Sequence, residues 1–353
     1  MAAAKNIIDE NRASCEVVSA DVLELILFRL PVKSLLRLKS VSESWNHTIS
    51  NRDFAIAHLR RSKNSLFPSR KKFLFWDFSN LLELKNNELK PFWDHKINGY
   101  IVWQCCDGLL LLSNYDSSGN MFVALWNQSA KTYTNLGFPF PSPEYIFTCG
   151  INFDSLSKDY KILVTDLETY AVFSNKSGRW SELKEVKITI GEDIKSFPLD
   201  GHICWISQVE EEHSYTIEIL LFDFKHDKFC KFFYDIGRLI FDCRLVHSPP
   251  GQFCMILADN FDKARVVWKK AGGEWMEFND VPVPVMECHS EMHLTEDKEL
   301  IFTCDCYGPP YIFTIYNLIE KESREISRPD GTFGPCHLFI YVDNLFFSGS
   351  TSI

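Results

Sequence analysis

The run Cys288-His289-Ser290-Glu291-Met292-His293 sets two histidines four residues apart. On a helix that spacing would put both imidazoles on one face, as in a zinc ligand pair. The run lies among β-prone segments, however, and no second ligand pair follows at zinc-like spacing, so exposed loop residues are expected there. Cys304-x-Cys306 would place two sulfurs on one face of a strand, where core packing or an unpaired thiol is the expectation. The chain contains no phosphate-binding glycine loop, no GxGxxG, no Gly-x-Ser-x-Gly elbow and no His-Glu-x-x-His. No catalytic residue, metal or cofactor is therefore assigned. The acidic triplet Glu210-Glu211-Glu212 could attract a basic surface, although a solvated face is the commoner role of such a run.

Composition excludes further classes. The 353 residues leave room for a small module and one large domain. Residues 1–62 carry 9 basic and 7 acidic side chains, while residues 63–353 carry 28 and 40. A body this acidic argues against nucleic acid, whose phosphates demand Lys and Arg, and favours a basic partner. No apolar run is long enough to span a bilayer, and the opening MAAAKNIIDENRAS lacks the basic-then-apolar pattern of a secretory signal. The twelve scattered cysteines are then expected to be reduced, acting as small hydrophobes. A cytoplasmic or nuclear location follows.

The elements that would position any site begin at Val18–Phe54. Ser19 caps a first helix with Asp21 in its first turn, where a carboxylate suits the helix dipole. Val22, Leu23, Leu25, Ile26, Leu27, Phe28 and Leu30 occupy nearly every side of that helix, more than a one-sided surface helix requires. Pro31 stops it. Ser34 caps a second run, Leu35–Val41, and Ser42 a third carrying Trp45 and Ile49 at i and i+4. Ser50-x-x-Asp53 has the form of a capping box opening a fourth helix, which ends in His58-Leu59-Arg60-Arg61. Such a module is either packed on its own body or docked on another protein; periodicity alone does not choose.

The string Arg29-Leu30-Pro31-Val32-Lys33-Ser34-Leu35, followed by Val41-Ser42-x-Ser44-Trp45 and Ile49-Ser50, resembles the F-box of plant F-box proteins. In that family the F-box binds a Skp-type adaptor and joins its chain to a cullin–RING ubiquitin ligase. The resemblance implies adaptor-binding roles for Leu23, Ile26, Leu27, Leu30, Pro31, Val32, Leu35, Leu38, Val41, Trp45 and Ile49. One departure is notable: Val18-Ser19 stands where the family's opening Leu-Pro is usual.

Beyond residues 63–72, read as a linker, a pattern recurs: a β-prone run ending in an aromatic, then commonly Asp or Asn. The markers Trp76, Trp126, Phe173, Phe222, Trp268 and Tyr316 are spaced by 50, 47, 49, 46 and 48 residues. A second aromatic follows seven residues later at Tyr133, Trp180, Phe229 and Trp275, as expected for a strand, a turn and a returning strand. A multi-strand unit of about 48 residues repeated six times fits a six-bladed β-propeller. Residues 339–348 look like the strand the first unit lacks and are expected to pair with Phe73–Trp76, closing the ring and removing a sheet edge. The body also resembles the F-box-associated, kelch-like region of plant F-box proteins. Its landmarks are Cys106-Asp107-Gly108-Leu109-Leu110, Leu125-Trp126-Asn127, Asp159-Tyr160-Lys161-Ile162, Gly178-Arg179-Trp180, Gly201-His202-Ile203-Cys204-Trp205 and Tyr316-Asn317-Leu318.

The expected organisation is an α+β multidomain chain: a disordered lead over 1–17, an all-α F-box over 18–62, the linker, and an all-β propeller over 73–353 closed by its C-terminal strand. The expected function is non-catalytic substrate recognition in a Skp–cullin–F-box ubiquitin ligase. Substrate would be held by loops such as Tyr115–Asn120, Gly137–Glu144, Val209–Ser214 and Asp305–Pro310. The alternative is an interaction scaffold or decoy whose F-box is weakened at Val18-Ser19.

Overall fold

The structure is a computed structural model. It describes residues 19–63, 71–76, 81–85, 88–92, 99–141, 147–166, 168–186, 196–199, 201–207, 216–235, 242–246, 252–258, 264–270, 275–281, 292–295, 297–304, 312–327 and 337–346. Residues 1–17, Glu210–Glu212, Cys288–Glu291 and Cys306, and the loops Val209–Ser214 and Asp305–Pro310, lie outside that set.

Four short helices lead: α1 (Ala20–Leu27), α2 (Val32–Leu38), α3 (Glu43–Ser50) and α4 (Arg52–Lys63). Ser19 caps α1, its hydroxyl accepting from the Val22 amide, and Ser42 caps α3 by accepting from the Trp45 amide. Two expected starts are displaced. Pro31, with ψ of 150°, is itself the N-cap of α2, so Ser34 lies inside that helix rather than ahead of it. A proline opens a helix readily because the amide it lacks would be unbonded there. Likewise Ser50 ends α3, and Asn51 opens α4, its Oδ1 accepting from the Asp53 and Phe54 amides.

The rest is strand. β1 (Lys71–Trp76), β2 (Leu81–Lys85) and β3 (Glu88–Pro91) form the first sheet. The second holds β4 (Ile101–Cys106), β5 (Leu109–Tyr115), β6 (Met121–Asn127) and β7 (Thr132–Gly137). The third runs through β8 (Thr148–Asp154), β9 (Asp159–Thr165), β10 (Thr169–Ser174), β11 (Arg179–Trp180) and β12 (Lys184–Glu185). Three further sheets follow: β13 (Phe197–Leu199) to β14 (His202–Ser207), β15 (Thr216–Asp223) and β16 (Lys228–Asp235); then β17 (Asp242–Val246), β18 (Gln252–Ala258), β19 (Ala264–Lys270) and β20 (Trp275–Val281); then β21 (Met292–Leu294), β22 (Glu299–Cys304), β23 (Ile312–Asn317) and β24 (Glu322–Ser327). The last strand, β25 (His337–Val342), returns to the first sheet. Each sheet is an antiparallel blade, and the described residues form a six-bladed propeller behind the helices.

The blades cohere because strand side chains alternate between faces. In β5, Leu109 and Leu111 pack with Cys149, Ile151 and Ile162 of the third blade, while Leu110 and Leu112 pack with Leu74, Trp76 and Tyr341 of the first. The apolar run Leu109–Leu112, buried on both faces, thus fills two inter-blade seams at once. The same division recurs around the ring: Cys204 and Ile219 meet Leu245 and Met255, and Ile256 and Val266 meet Leu294 and Leu300.

β25 pairs with β1 from Lys71↔Val342 to Trp76↔His337. It is the innermost strand of its blade, packed beside β4. Two features differ from the sequence pattern: the pairing strand is His337–Val342 rather than residues 339–348, of which 343–346 lie beyond the strand, and the markers do not share one strand position. Trp126, Phe173, Phe222, Trp268 and Tyr316 lie on the third strand of their blades, whereas Trp76 lies on the second strand of the first. The second strand of the first blade, KKFLFW, is apolar and aromatic-ended like the third strands of the others, so spacing alone did not separate them.

Candidate functional site

The eleven residues singled out in the helical module divide sharply by exposure. Leu27, Leu35 and Ile49 are fully buried, and Val32 nearly so. Leu23, Leu30, Leu38 and Trp45 are half-buried against the same core. Pro31, Ile26 and Val41 face outward, the last two 48% and 60% exposed. Helical geometry accounts for the split. Leu23, Leu27 and Leu30 fall on one stripe of α1 and its continuation and turn inward; Val22, Leu25 and Ile26 fall on another. Val22 and Leu25, which the sequence resemblance did not include, are 48% and 63% exposed. The signal for them was the apolar crowding on every side of α1.

The core beneath is aromatic. Phe28 meets Phe54 edge-on at 5.1 Å between ring centroids, and the buried His58 donates from Nε2 to the Leu30 carbonyl at 2.9 Å. An open cleft of about 420 Å³ between α1, α3 and α4 is rimmed by Glu24, His47 and Asp53. The module therefore presents exposed aliphatic side chains from α1 and the α2–α3 turn on a packed support.

The opposite side of the module is occupied. Ile56 and Leu59 of α4 share one apolar cluster with Leu109, Val342, Leu345 and Phe346 of the propeller. Arg52 clasps the β8–β9 turn, donating to the Lys158 carbonyl at 2.7 Å and to Asp159 Oδ1 at 3.0 Å. Lys158 returns a bond to Asp53 at 2.7 Å, and this ammonium holds the Asp53 carboxyl below its ordinary value. Lys63 pairs with Asp107 in the β4–β5 turn at 2.5 Å, and Tyr160 donates to the other oxygen of that carboxylate. One face of the helical stretch is thus packed on its own body, and another, with Val22, Leu25, Ile26 and Val41, is exposed.

Because antiparallel strands reverse direction, the β4–β5 and β8–β9 turns lie at one face of the propeller, under α4. The β5–β6 loop Tyr115–Asn120 and the β9–β10 loop lie at the other. Tyr115, 52% exposed, and Asp116, Asp166 and Glu168 belong to that far face. Residues 137–141 begin there as well. No group of three His, Cys, Asp or Glu suited to a metal occurs among the described residues. Met292 and His293, expected in an exposed loop, are instead buried in β21, where the His293 imidazole bonds to the Leu338 carbonyl of β25. Burial pushes the Cys106 and Cys149 thiols well above their ordinary value, so neither supplies a thiolate at neutral pH. Nor is any helix among the described residues long and apolar enough to cross a membrane.

Comparison with known families decides the identity. The F-box domain family matches residues 19–56, and the F-box associated beta propeller domain family matches residues 74–346. The chain is an F-box protein of the F-box associated β-propeller family. Curated relatives of this F-box protein come from Arabidopsis thaliana. The F-box protein ETP2 is 28% identical over 60% of this chain and 60% of its own length. At3g10430 is 28% identical over 62% and 63%, and At3g17490 is 25% identical over 93% of each. The match to the first two thus spans about three fifths of their length. Among solved structures, TolB from Acinetobacter baumannii superposes with a TM-score of 0.48 at 8% identity, covering 82% of this F-box protein and 72% of TolB.

Proposed function

We propose that this F-box protein is the substrate-recognition subunit of a Skp–cullin–F-box ubiquitin ligase, and that it performs no covalent chemistry itself. The observation that carries this reading is the outward row Val22, Leu25, Ile26 and Val41 on a module whose other large apolar side chains, Pro31 apart, are buried or half-buried. Exposed aliphatics in sequence register with an F-box are the anchors of a helix-in-groove contact. Leu27, Val32, Leu35 and Ile49 then act from beneath, holding the helices that carry the row. The adaptor links the chain to a cullin–RING ligase, and a protein substrate binds the far face of the propeller, at loops such as Tyr115–Asn120. Catalysis is by proximity: holding substrate beside a ubiquitin-loaded enzyme converts a bimolecular transfer into an effectively unimolecular one.

The test is co-purification of the full chain with a plant Skp-type adaptor, beside a Leu25→Asp, Ile26→Asp variant. Stable association lost in the variant supports the reading. No association by the wild-type chain, or association indifferent to the substitutions, sinks it.

A further inference from the structure

The first blade is assembled from the two ends of the body, and its closing strand is held by pairing rather than by any covalent link. β25 supplies one side of a six-pair ladder with β1. The chain beyond β25 does not leave the molecule at once. Asn344, Leu345 and Phe346 are all buried, and they run into the seam that α4 covers. Phe346 packs edge-on against Tyr160 at 4.9 Å and shares a cavity of about 210 Å³ with Ile56 and Leu59 of α4. Asn344 donates to the backbone carbonyl of Asp107, and the carboxylate of the same Asp107 takes the Lys63 ammonium at the end of α4. One bonded path therefore leads from α4 through Asp107 to the ring-closing segment, with an apolar contact running alongside it.

We propose that α4 fastens the ring-closing segment, so that adaptor docking on the helical module and closure of the propeller are energetically coupled. The adaptor half of this statement rests on the function proposed above. Opening the β1–β25 seam withdraws Leu345 and Phe346 from beneath α4 and exposes Ile56 and Leu59. A module of four helices of 7 to 12 residues has little core of its own to keep α4 in place. A partner that binds the ordered module consequently binds the closed ring better than the open one. By reciprocity, the closed ring favours that partner by the same factor. Arg52 and Lys63 are positioning residues in this arrangement: they touch no substrate but hold the far face of the propeller at one orientation to the adaptor.

Hydrogen exchange on the full chain tests the coupling in two arms. The first needs no adaptor. Arg52→Gln with Lys63→Gln removes two polar ties of α4, to the β8–β9 turn and to Asp107, without entering the core. Amides of β1 and β25 should then exchange about fivefold faster than in the wild type, the factor for roughly 1 kcal/mol of lost closure. Acceleration confined to α4 overturns the proposal. Should the pair fail to fold, Lys63→Gln alone, which cuts the path through Asp107, takes its place with the same criterion. The second arm adds a purified Skp-type adaptor to the wild-type chain. Protection spreading to residues 71–76 and 337–346 is the expected result, and protection confined to residues 19–63 overturns the coupling. Absence of any binding counts against the proposed function instead, and the adaptor-free arm then decides the coupling by itself.

Discussion

Asn127 and Asn344 meet side chain to side chain across 217 positions of sequence, the Asn127 amide donating to Asn344 Oδ1 at 2.6 Å. Both are fully buried. The same Asn127 nitrogen reaches the Phe346 carbonyl at 2.5 Å, and Asn344 Oδ1 also accepts from the Phe346 amide. Asn127 ends the third strand of the second blade, so this pair ties the end of the body to an interior turn. A buried amide with every group engaged is costly to truncate, because its partners stay behind without bonds.

Asn344→Ala takes a partner from the Asp107 carbonyl and the Phe346 amide at once, and leaves the Asn127 amide only its bond to the Phe346 carbonyl. The expected loss is about 2–3 kcal/mol. Urea unfolding of the full chain measures it. A midpoint unchanged within error would show that the closing segment contributes no stability.

Gly108 is the second constraint on the same seam. It has φ of 80°, and an added Cβ would lie 1.9 Å from the Val342 carbonyl oxygen. Neither the backbone angle nor the space admits a side chain. Gly108→Ala is expected to push β25 off its place and to cost about 3 kcal/mol or more. Gly119, at φ of 81° with open space around it, offers a matched control that carries the conformational strain without the collision. Thermal unfolding of both variants separates the two causes: a loss at Gly108 no larger than at Gly119 would refute the clash.

Acid sensitivity follows from carboxylates locked in turns. Burial pushes the Asp154 carboxyl up, but the Lys161 ammonium at 2.8 Å, the Ser157 hydroxyl and the Leu156 amide pull it further down, leaving it below its ordinary 3.8. Burial pushes Asp223 up too, but bonds from His226 and from the Lys225 amide outweigh it and leave that carboxyl depressed as well. A carboxyl lowered by folding contributes fully above the unfolded value and loses its contribution as pH falls through the folded value. Stability is therefore expected to be level from neutral pH down to about 5 and to fall steeply below about 4. Asp154→Asn should flatten that fall. Urea midpoints taken between pH 6 and 2.5 check both, and an equally steep fall in the variant would clear Asp154 of the effect.

The repeat was legible in the sequence because a propeller reuses one unit, and aromatic-ended strands recur at nearly constant spacing. The pairing of β25 with the Phe73–Trp76 strand was legible for a related reason: an unmatched strand at each end of the body implies a closed ring. What the spacing could not convey was the place of Trp76 within its blade, since β1 is aromatic-ended like the third strands of the other blades. Nor could it convey the contact of α4 with the body. Arg52, Asp107 and the adjacent pair Lys158-Asp159 are ordinary charged residues at three places more than fifty positions apart, and only the fold brings them together. In the helices the resemblance marked apolar positions of two kinds with one label. It could not separate Leu27, which supports the module, from Ile26, which faces solvent, because that division depends on which side of α1 the other helices cover.

The start of α1 bears on whether the docking face is intact. Where the family's opening Leu-Pro is usual, Ser19 stands as an N-cap, its hydroxyl 3.3 Å from the Val22 amide. A serine cap supplies the helix start by accepting an amide bond, while a proline supplies it through a fixed φ; the two are comparable in effect. The exposed row on α1 is thus presented despite the substitution. Leu25 and Leu27 provide a contrast two residues apart. Leu25→Asp changes a side chain 63% exposed and is expected to leave the unfolding midpoint within about 0.5 kcal/mol while weakening adaptor binding at least tenfold. Leu27→Ala hollows a fully buried site and is expected to cost about 2–5 kcal/mol of stability, with binding lost only as far as the module unfolds. Calorimetric titration with the adaptor beside urea unfolding separates the two effects. Undiminished binding by Leu25→Asp would remove α1 from the interface and with it the assignment of the docking face.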